Sequence, residues 1–378
     1  MARDGCAQVP EGPGHVKDRM QVETTATLRG MECVDLTEVV SGDGAGREQA
    51  GLRIARSLER CGAVVVQDPR VRAELNDAYC DMMQRYFAQS AECKMRDARP
   101  ELNFQLGVTP EYTERARDNS EYIAALSAED RPVAATRGLD PKWRFFWRPG
   151  ASDNVVPAAF EAEWRNTMDE WGFKLQDTMM LVSSLLAVGL GAEQDTFERM
   201  LQGGPHLLAP TGSDLFEIGQ KMAKLGKDEA LASPLPLAGF HYDLNFLTAH
   251  GKSTHGGLYI WTREGKRVPV SVPPGGVLLQ AGIQLEILTA GRIQRGYHEV
   301  IALPEVVQRV VRECAENRAC GWRVSSTVFG HIRSDQVLEP IEVCAQEEAA
   351  SRYPPVQAAV QVLRELESIQ LAPSDPVS

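Results

Sequence analysis

The stretch Gly239-Phe240-His241-Tyr242-Asp243-Leu244-Asn245-Phe246-Leu247-Thr248 decides how the chain is read. His241 and Asp243 stand two apart, and on an extended strand residues i and i+2 point to one side. Both side chains can then reach one ion. Downstream, Gly282-Ile283-Gln284-Leu285-Glu286-Ile287-Leu288-Thr289-Ala290-Gly291-Arg292 leads to Gly296-Tyr297-His298-Glu299-Val300. Trp322-Arg323-Val324-Ser325-Ser326 closes the series. The order is His-x-Asp, a distant His from another strand, then Arg-x-Ser.

Two imidazoles and one carboxylate on one face of a metal leave positions open for O₂ and an organic ligand. That is the arrangement of facial-triad Fe(II) sites. Arg323 can grip a carboxylate bidentately, and Ser325, on the same strand face, can add a hydroxyl hydrogen bond. His-x-Asp alone is a common accident. Its succession with a far His and a strand-borne Arg-x-Ser is much rarer.

The surroundings suit a β-rich core. From His206 onward Pro and Gly are frequent and short apolar runs recur at 257–261, 268–270, 277–280 and 327–329. Many short strands with turn signals between them predict a double-sheet jelly roll. Val306, Val307, Val310, Val311 and Cys314 repeat at helical spacing and predict a surface helix inserted at 304–318. Upstream, Phe160, Trp164, Met168, Trp171, Leu175, Met179, Val182 and Leu186 predict one long buried helix ending at Gly189-Leu190-Gly191. A short strand at 31–36, a helix over Leu52, Ala55 and Leu58, a Val-rich strand at 63–66 and a helix carrying Tyr86-Phe87 precede it. Residues 95–155 carry five prolines and resist assignment. Within them Trp143-Arg144-Phe145-Phe146-Trp147-Arg148 reads as a core strand. Its sharper reading is a wall of a substrate pocket with an Arg for an anionic group.

The predicted fold is mainly β with α: a double-stranded β-helix (jelly-roll) core braced by N-terminal helices. Its expected parts are a flexible tail over 1–30, a helical support region over 31–200, the core over 201–345 with its inserted helix, and a C-terminal helix and tail over 346–378.

Composition narrows the function. The chain has 378 residues, 43% of them hydrophobic, and a formal net charge of −12. An acidic chain without a dense basic run argues against nucleic acid or an anionic membrane as main partner. Eight scattered cysteines without a CxxC pair fit free thiols in a reducing compartment. The first residues lack the apolar core of a signal peptide, and the run 179–190 is too short to span a bilayer. The expectation is a cytoplasmic protein with a small-molecule substrate. No nucleophile-elbow, Walker or dinucleotide motif appears in a suitable context.

The motif series resembles the isopenicillin N synthase-like 2-oxoglutarate/Fe(II)-dependent dioxygenases, from about residue 31 to 345. Residues 241–248 resemble that family's first metal strand, and 282–292 its "GDQLEVLSNGR" stretch. The resemblance implies that His241, Asp243 and His298 hold Fe(II), and that Arg323 and Ser325 bind 2-oxoglutarate. It also implies O₂ as oxidant and ascorbate as an accessory reductant. The implied reaction oxidises a C–H bond of a small organic substrate by hydroxylation, desaturation or ring closure, releasing succinate and CO₂. Arg144, Phe146 and Tyr242 are the candidate substrate-binding residues. Two departures stand out: Leu208, before Pro210, occupies a place where the family often has a 2-oxoglutarate-binding Tyr, and Ile283 replaces the Asp of the second stretch. Two alternatives remain open. One is an Fe(II)/O₂ oxidase of the same fold that does not use 2-oxoglutarate; the other is a non-catalytic metal-binding jelly roll.

Overall fold

The computed structural model describes residues 31–42, 46–133, 138–224, 234–318, 320–345 and 349–368. The expected N-terminal tail, and the chain beyond 368, lie outside the described residues. In chain order the strands are β1 Cys33–Asp35, β2 Ala63–Gln67, β3 Gly107–Thr109, β4 Trp143–Phe146, β5 Leu207–Leu208, β6 Thr211–Asp214 and β7 Leu235–His241. They continue with β8 Leu247–His250, β9 Leu258–Trp261, β10 Arg267–Val270, β11 Gly276–Ala281, β12 His298–Ala302, β13 Trp322–Ser325 and β14 Thr327–Gly330. The helices that bear on the site are α1 Arg47–Cys61, α2 Ala73–Phe87, α3 Trp164–Leu190, α4 Leu215–Lys224, α5 Ile283–Leu288, α6 Pro304–Ala315 and α7 Ala358–Ser368.

Three sheets carry the site in a mixed α/β arrangement. One runs β1-β2-β11-β8-β14-β5, a second β10-β9-β12-β7, and a third β13-β6-β4-β3. The N-terminal region is more than a helical brace. β2 pairs with β11 from Gly276↔Gln67 to Gln280↔Ala63, so the valines at 64–66 lie inside the largest sheet. Covered on both faces, that strand is apolar without alternation.

Helix α3 lies against this sheet. Trp164, Met168, Leu175, Met179, Val182 and Leu186 are fully buried along it, as their three-and-four spacing requires. By length and composition α3 could cross a membrane; here that buried stripe belongs to the main core. It meets α1 backbone to backbone. A Cβ on Gly189 would fall 2.1 Å from the Gly51 carbonyl oxygen, and one on Gly51 would fall 2.4 Å from that of Leu185. Only glycines permit this approach.

Residues 304–315 form α6, opened by Pro304 at its first turn. Val307 and Val310 bury against Leu215, Leu237 and Ala302, and Val311 closes on Gly219 of α4. The helix has its own small core with α4. Its other face is solvated, which explains an amphipathic helix at this point in a β-rich region.

Candidate metal centre and its two cavities

His241 is the last residue of β7 and His298 the first of β12, and the two are direct partners across that antiparallel pair. The register slips immediately after His298. Asp243 is not on the strand: β7 stops at His241 and the chain turns before β8. His241 and Asp243 are thus brought together as their i, i+2 spacing predicts, but by the turn after β7 and not by strand alternation. Asp243 Oδ1 lies 3.8 Å from His241 Nε2 and 3.9 Å from His298 Nε2. One donor atom from each of the three lies within 4.8 Å of the others.

These separations suit a metal. Two donors each about 2.0–2.2 Å from one ion lie at most about 4.4 Å apart. The hydrogen bonds suit it too. His241 Nδ1 meets the Gly239 carbonyl at 2.6 Å, and His298 Nδ1 meets that of Gly296 at 3.1 Å. A carbonyl only accepts, so each Nδ1 carries the proton and each Nε2 presents its lone pair to the cluster. Thr248 Oγ1 donates to Asp243 Oδ2 at 2.6 Å, which leaves Oδ1 for the ion. Burial, together with the proximity of His298, pushes His241 well below its ordinary value. Burial alone would raise Asp243; His298, His241 and the Thr248 hydroxyl outweigh it and hold the carboxyl at about 2. Neutral imidazole beside carboxylate is the state in which such a set binds a cation.

Two cavities share this cluster. The smaller, about 240 Å³, contains Arg323, Ser325, Thr211, His250, His255 and His298. Arg323 and Ser325 come from β13, as their spacing requires, and Ser325 shares a hydrogen bond with the Thr211 hydroxyl of the neighbouring β6. Arg323 is 6% exposed. Its Nε donates to the Gly256 carbonyl at 3.1 Å, and among the described residues it has no carboxylate partner. Burial pulls it down to about 10. An unpaired buried guanidinium is costly unless an anion joins it. Leu208 does not face this cavity; it is fully buried in the main core and paired with Val328. Ala209 and Thr211 line the cavity instead.

The larger cavity, about 420 Å³, opens on the other side of His241 and Asp243. Arg144, Phe146 and Tyr242 all line it, and Arg144 lines the smaller one as well. So does Lys142, which sequence reasoning missed. Its Nζ bridges Asp140 at 2.8 Å and Glu114 at 3.0 Å. Arg117 was missed too. It donates to the Tyr242 hydroxyl at 2.8 Å, stacks over that ring and pairs with Glu365 of α7. Helix α7 closes the cavity with Ala358, Val362, Leu363 and Leu366. Gln361 anchors it, accepting from Gln284 at 2.9 Å and donating to the Leu244 carbonyl at 3.1 Å. The only advance signal was the apolar spacing of α7, which also fits an ordinary surface helix. His331 lines the cavity as well, whereas His206 sits behind it and accepts from the His331 backbone N–H at 3.1 Å.

No protein-family model matches the sequence, and no curated protein matches it. Solved structures do. A Caulobacter crescentus protein assigned to the 2OG-Fe(II) oxygenase family superimposes with a TM-score of 0.66 at 22% identity, covering 90% of this chain and 99% of its own. A full-length Neurospora crassa protein, in complex with alpha-KG and thymine, gives 0.67 at 17% identity, with 89% and 96% covered. The rice dioxygenase for auxin oxidation gives 0.61 at 17% identity, with 89% and 95% covered. The chain thus has the fold of the 2OG-Fe(II) oxygenases, along nearly its whole described length.

Proposed function

We propose that the protein is an Fe(II)- and 2-oxoglutarate-dependent oxygenase with a double-stranded β-helix core of the isopenicillin N synthase-like kind. It acts on a C–H bond of a small organic substrate by hydroxylation, desaturation or ring closure, with release of succinate and CO₂. His241, Asp243 and His298 would hold the iron, and bound iron supplies activation of O₂. Arg323 and Ser325 would hold the far carboxylate of 2-oxoglutarate in the smaller cavity, leaving the larger one for the substrate.

The observation that carries this reading is Arg323: a buried cation without an acid partner among the described residues, in a cavity that reaches the three-ligand cluster. An oxidase that did without the dicarboxylate would leave that charge uncompensated. A purely metal-binding protein would have no use for a second cavity touching the same ligands. The rest of the chain's work is exclusion and aim. Thr248 and the Gly239 and Gly296 carbonyls orient the ligands, while α7 screens the substrate side from water. Succinate formation from 2-oxoglutarate, dependent on added Fe(II) and on O₂ and lost in His298→Ala, is the test. Iron binding without any succinate in the presence of both would refute the reading.

A further inference from the structure

Within that reading, we propose that the substrate is a carboxylic acid with an apolar body, its carboxylate held by Arg144 and its body laid along α7. The charged groups around the junction of the two cavities are equal in number, three cations and three carboxylates, but their hydrogen bonds are unevenly shared, and Glu114 Oε1, like Arg144 Nε, is buried without a partner. Lys142 has two carboxylate partners, Asp140 and Glu114. Asp140 is further satisfied by the Gly239 N–H at 3.0 Å. Arg117 has Glu365 and the Tyr242 hydroxyl. Arg144 has only an ion pair of 3.1 Å to Glu114 Oε2, the same oxygen that Lys142 already occupies. Its side chain makes no further hydrogen bond among the described residues, and its Nε is buried without a partner.

Buried donors are nearly always satisfied, and a guanidinium has five N–H groups to satisfy. The Arg144 side chain is only 15% exposed, so bulk water does not solve this. The aromatic faces of Phe146 and Phe329, at 5.6 and 5.5 Å, flank it and restrict its movement. A planar fork fixed in this way matches a carboxylate better than a lone carbonyl, because both oxygens can accept in parallel. Arg144 borders both cavities along with His241 and Asp243, so a carboxylate on it lies beside the metal cluster.

Most of the remaining surface of the larger cavity is apolar, although Gln105, Arg115, Asn245, His331 and Ser334 also line it. Val362, Leu363 and Leu366 of α7 face Ile332 and Leu207 around it. Leu363 is 50% exposed although it belongs to the cavity wall, which leaves apolar surface for a ligand to cover. A volume near 420 Å³ suits a small amphiphilic acid.

The test uses the full chain loaded with Fe(II) and 2-oxoglutarate with O₂ excluded. Octanoate, phenylacetate and 4-phenylbutyrate are titrated calorimetrically against their primary amides, which match them in shape but carry no charge. At least one acid is expected to bind at least tenfold more tightly than its amide. Arg144→Met should weaken that acid at least tenfold, leave the amide unchanged and keep the 2-oxoglutarate absorption band; Arg144→Lys should recover part of the loss. Amides binding as well as acids would overturn the proposal. So would acids that ignore Arg144→Met, an Arg144→Met protein without the 2-oxoglutarate band, or a panel in which no acid binds. A wild-type protein without that band would instead refute the proposed oxygenase activity, and the acid-to-amide ratio on the Fe(II) protein would still decide the role of Arg144.

Discussion

His241 and His298 are cross-strand partners in one antiparallel pair, with ring centroids 4.1 Å apart. Strand pairing itself fixes the distance between the two imidazoles, and the turn after β7 adds the carboxylate. Thr248 then sets which oxygen of Asp243 is free. Thr248→Val is therefore expected to lower Fe(II) affinity roughly 10–100-fold, the usual cost of losing an outer hydrogen bond at a metal site. Thr248→Ser should restore it. Fe(II) binding measured anaerobically against a competing chelator checks this, and equal affinity in Thr248→Val would show that the hydroxyl does not orient the ligand.

Arg323 has a ligand-sized demand for negative charge. Replacing it by Met should raise the Kd for 2-oxoglutarate by at least tenfold, because a charge-assisted hydrogen bond contributes about 1.5–3 kcal/mol. Iron affinity should stay as it was. Equilibrium binding of 2-oxoglutarate to the Fe(II) protein separates the two quantities.

The α7 helix is tied to the cavity wall by Arg117 and Glu365, whose side chains are 10% and 15% exposed. Glu365→Ala leaves a largely buried guanidinium without its acid. The expected result is earlier proteolytic cleavage within 356–368 and an unchanged Fe(II) stoichiometry. A wild-type digestion pattern would mean that Gln361 and the apolar contacts hold the helix by themselves.

Histidine burial sets the response to acid. Burial pushes His206 down from 6.5 to about 4. Between those values the unfolded chain takes up a proton that the folded ring refuses, so stability is present above pH 6.5 and is lost as pH falls toward 4. For this ring the loss between pH 7 and pH 4.5 is roughly 2 kcal/mol. His206→Gln, which can still accept from the His331 N–H, should flatten the curve of urea midpoint against pH by that amount. Identical curves would contradict the assignment.

The α1–α3 contact gives a test of the fold away from the site. Gly189→Ala must push a methyl group against the Gly51 carbonyl, and overpacking of this kind costs about 1–3 kcal/mol. The urea midpoint should drop accordingly while Fe(II) affinity does not change.

What could be read in the sequence followed periodicity. The α3 stripe, the Val-rich β2 and the amphipathic α6 each carry their pattern within one element, because α3 and α6 bury a stripe and β2 is buried on both faces. The three residues of the metal cluster could be read because their types are chemically restrictive. Arg144, Phe146 and Tyr242 apart, the walls of the larger cavity were illegible for the opposite reason. Lys142, Arg117 and Glu114 come from a loop-rich region, and they acquire meaning only by pairing with each other and with α7 across long sequence separations. Leu208 shows the same limit from the other side. Read along the chain it sat where a cosubstrate hydroxyl was missing, but the strand faces the core and hands the cavity to Ala209 and Thr211.

The most direct test of the proposed activity is an anaerobic titration of the iron-free protein, first with Fe(II) and then with 2-oxoglutarate. The account predicts one iron per chain and, on adding 2-oxoglutarate, a visible absorption band that is absent with succinate. His241→Ala should abolish the band and Arg323→Met should shift its midpoint to higher 2-oxoglutarate. One iron bound with no band at any 2-oxoglutarate concentration would contradict it.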